Sequence, residues 1–268
     1  MTGAHDSSTL DEALETDNVA NAECMNMGRL TIIGGTKGGS GKSTSTCQLA
    51  IMRALAGKSV CLYDLDKQRS AHRFAQARSG AGIEPSIRSI SGYLELKPGE
   101  DPVPLGRALI KDLRDTAAQY DDVLIDVGGE DNPALRFAML AADVMAVPLS
   151  PSQFDVWALS DLNKVLNDVA SSRPDDFRPV VFPCLVSPQT NERAEFDAIR
   201  DAYKSFAWAP GGVMISHRSA YRKGIGEGRG IFDATRPDPK AKSELLGLYR
   251  VVFKQDWMAS KTREEDAA

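Results

Sequence analysis

One stretch near the start of the chain limits the fold more than any other. Residues 30–56 read LTIIGGTKGGSGKSTSTCQLAIMRALA. An apolar run (Leu30–Ile33) runs into a glycine-rich turn, and a helix-periodic segment from about Lys42 to Ala56 follows, closed by Gly57. The run predicts a strand that delivers the chain directly into a helix N-terminus. Gly38, Gly39 and Gly41 let the backbone curl with its N–H groups inward, and the helix start adds partial positive charge. That is a cradle for phosphate oxygens. The spacing is nonetheless unusual. The ordinary phosphate loop reads G-x-x-x-x-G-K-[S/T], so the end at Gly41-Lys42-Ser43 calls for glycine at position 36. Thr36 stands there, and a second lysine, Lys37, follows at once.

The rest of the chain alternates apolar runs with helical stretches. Strands are predicted at 60–65, 86–90, 123–127, 144–149, 180–186 and 213–215. Helices are predicted at 70–78, 105–120, 133–142, 155–170, 192–206 and 241–254, with Val156, Leu159, Leu162, Val165 and Leu166 on one face of the helix at 155–170. Pro98, Pro102 and Pro104 mark a loop. The strands are continuous apolar runs, as expected where both faces are covered. The alternation implies an α/β fold: a doubly wound, mostly parallel sheet with helices on both faces, in one domain over 29–258. Residues 1–28 read as an acidic, disordered extension and 259–268 as a polar tail.

Composition narrows the partners. With 42% apolar and 26% charged residues the chain is an ordinary globular protein. Its net charge of -5 argues against a uniformly basic coat but leaves room for a local patch. Cys24, Cys47, Cys61 and Cys184 are scattered and lack metal-ligand spacing, which suits reduced thiols in a cytosolic protein. No apolar run approaches the roughly 18 residues of a membrane span. No signal peptide is evident.

Two further segments converge on the loop. In VLIDVGG, apolar residues lead into Asp126 at the carboxyl end of a buried strand, where open α/β sheets bind ligands. A carboxylate there can hold Mg²⁺ through a water, the Ser43 hydroxyl can ligate the ion, and Lys42 reaches the outer phosphates. In VCLYDLDKQRS, Asp64 and Asp66 end the second strand. One of the two serves as a structural cap; the other, for which Asp66 is the candidate, orients an attacking water or assists the metal.

These motifs carry a family resemblance. K-G-G-S-G-K-S-T at 37–44 resembles the deviant Walker A motif of the ParA/MinD ATPases. The D-x-D of LYDLDKQRS resembles their second-strand motif D-x-D-P-Q, with Lys67 in place of the proline, and VLIDVGGEDNPALRFAML resembles their Walker B strand. The likeness extends over roughly residues 29–255. It implies that Lys37, Gly38, Gly39, Ser40, Gly41, Lys42, Ser43 and Thr44 contact ATP. It also implies that Lys37 crosses a dimer interface to the phosphates of the other subunit, so that Lys37, Lys42 and Asp66 serve catalysis. Many members carry two prolines after the Walker B aspartate. Gly128 and Gly129 stand here, which resembles the small plasmid-partition branch and predicts a more mobile loop.

A second feature is local charge. Residues 215–242 carry Arg218, Arg222, Lys223, Arg229, Arg236, Lys240 and Lys242 against Glu227, Asp233 and Asp238. Without an aromatic series, such a surplus suits double-stranded DNA backbone rather than stacked bases. The resemblance points the same way and nominates Arg218, Arg222, Lys223 and Arg229. The expectation is a bacterial, cytoplasmic, nucleoid-associated ATPase that dimerises on Mg-ATP, binds DNA non-specifically, segregates or positions plasmid DNA, and hydrolyses ATP weakly until a ParB-like or cargo adaptor stimulates it. A positioning ATPase for a protein cargo has the same chemistry. A MinD-like membrane role needs a basic amphipathic tail, and this chain ends KTREEDAA. An iron–sulfur carrier needs cysteines that DVGGEDNP lacks. For a metabolic ligase, no dedicated substrate pocket is evident in the sequence.

Overall fold

The computed structural model describes residues 27–258, except 96, 98, 130–132, 151, 174, 176 and 188–192. Along the chain lie β1 (Arg29–Ile33), α1 (Lys42–Leu55), β2 (Val60–Asp64), α2 (Ser70–Gly80), β3 (Arg88–Ser91), α3 (Pro102–Ala117), β4 (Asp122–Asp126), α4 (Pro133–Ala141), β5 (Val144–Leu149), α5 (Gln153–Ala170), β6 (Val180–Val186), α6 (Arg193–Ala202), β7 (Ala207–Trp208), β8 (Ile215–Ser216) and α7 (Pro239–Phe253). Three short 3₁₀ turns, at Ser219–Tyr221, Ile225–Glu227 and Ile231–Asp233, separate β8 from α7.

The strands form one sheet in the order β3-β2-β4-β1-β5-β6-β7, with β8 paired to β6. Every recorded pairing is parallel. β1 is central, so the glycine loop leaves the middle of the sheet's carboxyl edge. Alternation along each strand feeds two cores. Leu30 and Ile32 join Val123 and Ile125 beneath α3, α4 and α5. Ile33, Leu62 and Leu124 pack on the other face against Leu49 of α1, Phe74 of α2 and Leu245 of α7. Burial on both faces is why these strands read as unbroken apolar runs.

The helix expected at 192–206 ends at Ala202 and the strand expected at 213–215 is the pair Ile215–Ser216; two further differences from the sequence reading have identifiable reasons. α3 begins at Pro102, and the Asp101 side chain caps it by accepting from the Val103 N–H at 3.0 Å. Pro102 and Pro104 therefore sit in the first helical turn, where a missing N–H costs nothing, rather than in a loop. Pro98 lies outside the described residues. The two-residue strand β7 has too little sequence to announce itself.

The segment between β8 and α7 lacks long elements and is held by side chains. Arg78 of α2, fully buried, donates to the Asp233 carboxylate from both terminal nitrogens at 2.8 and 3.0 Å, and to the Gly228 and Pro85 carbonyls. The Ile231 N–H donates to Gln48 of α1 at 2.9 Å. The basic segment is thereby pinned to the two helices that follow the glycine loop and Asp66. Replacing Arg78 by Met leaves the buried Asp233 carboxylate without its cation and with the Gly230 N–H as its remaining donor among the described residues, so urea unfolding should show a loss of about 3–5 kcal/mol. A loss below about 1 kcal/mol would mean that the segment is anchored elsewhere.

Candidate functional site

The carboxyl edge of the sheet opens into a cleft of about 770 Å³, bounded on one side by Gly41, Lys42 and Ser43. Gly41 has φ +93° and serves as the N-cap of α1 without any side-chain cap. A Cβ there would lie 2.7 Å from Cys184 Sγ, so glycine is needed for both the turn and the contact with β6. α3, α5 and α7 are capped by the Asp101, Ser152 and Asp238 side chains, whereas the first turn of α1 faces the cleft without such a cap. The Lys42 ammonium donates to the Lys37 carbonyl. Burial lowers its pKa, with Asp126, Asp66 and Asp155 pulling the other way.

The two strand-end carboxylates have opposite roles, although Asp64 and Asp126 are register partners on neighbouring strands. Asp64 accepts from the Asp66 N–H and the His72 N–H, both at 2.9 Å, and so fixes the turn into α2. It is the structural cap. Asp66 lines the cleft and accepts from the Gln68 N–H at 2.8 Å. Asp126 is completely buried, and neither carboxylate oxygen has a hydrogen-bond partner of normal geometry among the described residues. Burial pushes its pKa up to about 8; the nearby Ser43 hydroxyl works against that shift, and the Asp64 and Asp66 charges add to it. A hydroxyl beside an unsatisfied carboxylate, both oxygen donors, fits a hard divalent cation such as Mg²⁺.

Lys37 does not line this cleft. It borders a second hollow of about 820 Å³ with Phe154 and Trp157, beyond a wall formed by Gly38 and Gly129. Its ammonium pairs with Asp155 and donates to Ser152 Oγ at 3.2 Å. Burial pushes the Asp155 pKa up, but hydrogen bonds from Lys37, Ser152 and Ser150 outweigh it and hold the carboxyl below its usual range. Thr36 Oγ1 donates to the Ala158 carbonyl at 2.7 Å, fastening the loop's shoulder to α5. Phe154 and Trp157 are 67% and 57% exposed and meet edge to face at 5.5 Å. Gly129 has a packing reason beyond flexibility: a Cβ there would lie 2.4 Å from the Gly38 nitrogen.

The geometry can now be set beside known proteins. The family model described as ATPase MipZ matches residues 29–172, more than half of the chain. The chain belongs to this family. It is thus a deviant Walker A ATPase of the ParA/MinD/MipZ group. Over 149 residues it is 30% identical to the chromosome-partitioning ATPase Soj of Thermus thermophilus, a match covering 50% of this chain and 59% of that relative. The fold is similar to Cyanothece McdA in complex with ATP (TM-score 0.71, 14% identity, 88% of this chain and 100% of that one). It is also similar to Pyrococcus horikoshii MinD with Mg-ADP (TM-score 0.62, 17% identity, 84% and 96%).

Within this MipZ-family chain the structure gathers Gly38, Gly39, Gly41, Lys42, Ser43, Thr44 and Asp66 on one cleft, with Asp126 buried at its base. Ser40 is buried in the loop and Lys37 faces away. The four basic residues nominated for DNA separate. Arg218 is tied to Glu244 at 2.8 Å and lines the cleft, as does Arg222. Arg222, Lys223 and Arg229 are exposed, and Arg229 makes a distant 3.9 Å contact with Glu227. Sequence reasoning missed Asp155 and Glu244. For Asp155 a signal existed: Ser152-x-x-Asp155 has capping-box spacing just before an apolar helix face.

The Asp126 shift has a checkable sign. Its folded pKa lies above the unfolded value, so between about pH 4 and 8 the unfolded state binds fewer protons and stability falls as pH rises. In metal-free protein, Asp126→Asn should melt higher than wild type at pH 8, with the gap closing towards pH 5. Mg²⁺ should raise the wild-type melting temperature at pH 8 and leave the variant unmoved. Parallel pH profiles for the two proteins would refute this account.

Proposed function

We propose that the chain is a ParA-type ATPase in which two copies close over two Mg-ATP molecules, bind double-stranded DNA without sequence preference, and move or position a DNA-borne cargo. The carrying observation is that Lys37 belongs to the loop but faces away from its own cleft. It sits instead beside an exposed aromatic pair, Phe154 and Trp157, and exposed apolar surface of this kind supports a docking face. A second chain docked on this face would cover Phe154 and Trp157 and receive Lys37 at its phosphates. There the charge would stabilise the transition state, as an arginine finger does.

Within one subunit the division of labour follows from placement. The loop N–H groups and Lys42 bind phosphate oxygens. Ser43 and Asp126 would hold Mg²⁺, which would supply neutralisation of phosphate charge. Asp66, an acceptor at the cleft wall, orients the attacking water. The exposed Arg222, Lys223 and Arg229 contact DNA phosphates. Each contact adds about one unit to the salt slope, so a dimer roughly doubles the slope of a monomer and ATP gates DNA affinity through assembly. A partner protein, the product of the adjacent gene, stimulates hydrolysis and release. No helix among the described residues is long and apolar enough to cross a membrane.

Lys37→Ala should keep ADP affinity while losing ATP-dependent dimerisation in size-exclusion chromatography and lowering turnover by about 10³-fold or more. Normal assembly and turnover would sink the dimer reading. Co-sedimentation with non-specific DNA should be strong with ATP and weak with ADP, and Lys223→Glu with Arg229→Glu should abolish it. Binding that is equal in the two nucleotides would count decisively against the cycle.

A further inference from the structure

The wall of the cleft opposite Asp66 is built by a device outside every phosphate-binding motif. β6 pairs with β8 through Cys184↔Ile215 and Val186↔Ser216, which leaves Leu185 as an extra residue in β6. Leu185 has φ +58°, a left-handed conformation unusual for a bulky side chain. Bulges of this kind re-aim side chains beside functional sites. Leu185 lines the cleft together with Ile215, so the bulge presents an apolar surface to it.

The polar half of the same wall depends on one residue. Glu244, on α7, accepts from the Ser216 N–H at 3.1 Å and from Ser216 Oγ at 2.7 Å. It accepts from Arg218 Nε at 2.9 Å and Nη2 at 2.8 Å, and from Tyr221 Oη at 2.9 Å. Ser216, Arg218 and Tyr221 all line the cleft, whereas Glu244 stands behind them. Burial pushes its pKa up, but these donors hold it below the usual range, so it stays charged. The segment has no long element of its own; one carboxylate fixes three of its cleft-facing residues.

On the nucleotide-binding reading, phosphates bind at the loop, and the reacting end lies towards Asp66 and Gly129. The nucleoside must extend the other way, onto Leu185, Ile215 and the segment that Glu244 holds. We propose that Glu244 is the positioning residue for nucleoside recognition: it fixes the wall that reads base and ribose, while the glycine loop alone sets the grip on phosphate. This rests on the nucleotide-binding reading above. It predicts that the two parts of affinity come apart when Glu244 is neutralised.

The test uses the full chain, with Mg²⁺, in calorimetric titrations of ADP, GDP and inorganic tripolyphosphate. Glu244→Gln keeps the shape and removes the charge. Losing a charged acceptor at this wall should weaken ADP by about tenfold or more. Tripolyphosphate, which has no nucleoside, should change by less than about twofold, and the wild-type preference between ADP and GDP should narrow. Tyr221→Phe, which removes a single donor, should move ADP affinity in the same direction by less; it carries the test if the first variant does not fold. Equal losses for ADP and tripolyphosphate would mean general damage to the cleft and overturn the proposal, as would unchanged affinities. If wild type binds tripolyphosphate but gains nothing from the nucleoside, the proposal fails while the phosphate loop stands. If wild type binds none of the three ligands, the nucleotide reading fails first.

Discussion

A carboxylate buried without a partner is the constraint around which this site is built. Asp126 ends a central strand with no exposure and no hydrogen-bond donor of normal geometry among the described residues. An isolated buried charge is too costly to persist, so the fold must supply a proton or a cation. Its register neighbour Asp64, whose pKa burial also raises, is partly relieved by accepting two backbone N–H groups. Among the described residues no backbone N–H reaches Asp126 in this way. The nearby groups are Ser43, an oxygen donor, and Lys42, a cation whose own charge is disfavoured by burial. Proton, metal and phosphate binding are therefore linked at this point, because each changes the charge that the others must balance.

Much of this was legible in the sequence, because the signals were local. Leu30–Ile33 followed by glycines and Gly41-Lys42-Ser43 encodes strand, turn and helix in consecutive residues. The Asp126 strand was readable because burial on both faces forces an unbroken apolar run into the carboxylate. The helix at 155–170 was placed by its apolar stripe, and Leu159, Leu162 and Val165 are indeed buried. Phe154 and Trp157 fall off that stripe, and their exposure is the consequence.

What stayed hidden depends on distant contacts. Glu244 is 26 residues from Arg218, and nothing in the local pattern marks it as the acceptor for a cleft wall. Arg218 looked like a surface cation in sequence, yet the fold turns it towards Glu244. The need for glycine at 129 was misleading in the same way. Sequence suggested a loop freed from proline, whereas the contact that matters is with the Gly38 backbone, roughly ninety residues earlier. Chain proximity encodes turns and helix faces; it does not encode which loop another loop will press against.

The loop's second lysine brings these strands together. Thr36 occupies the place where the ordinary motif has glycine, and its hydroxyl ties the loop's shoulder to α5. That leaves Lys37 pointing over the Gly38–Gly129 wall to Asp155. On the proposed cycle it must exchange this carboxylate for phosphates on another chain. A charge-assisted hydrogen bond is worth about 1.5–3 kcal/mol, a modest loss against a triphosphate in a closed interface. The exchange is eased further because Ser150 and Ser152 also donate to Asp155, so the carboxylate keeps partners after the lysine leaves. On that cycle both ends of the move are satisfied, and a ligand that binds one arrangement better by a few kcal/mol is enough to shift the population.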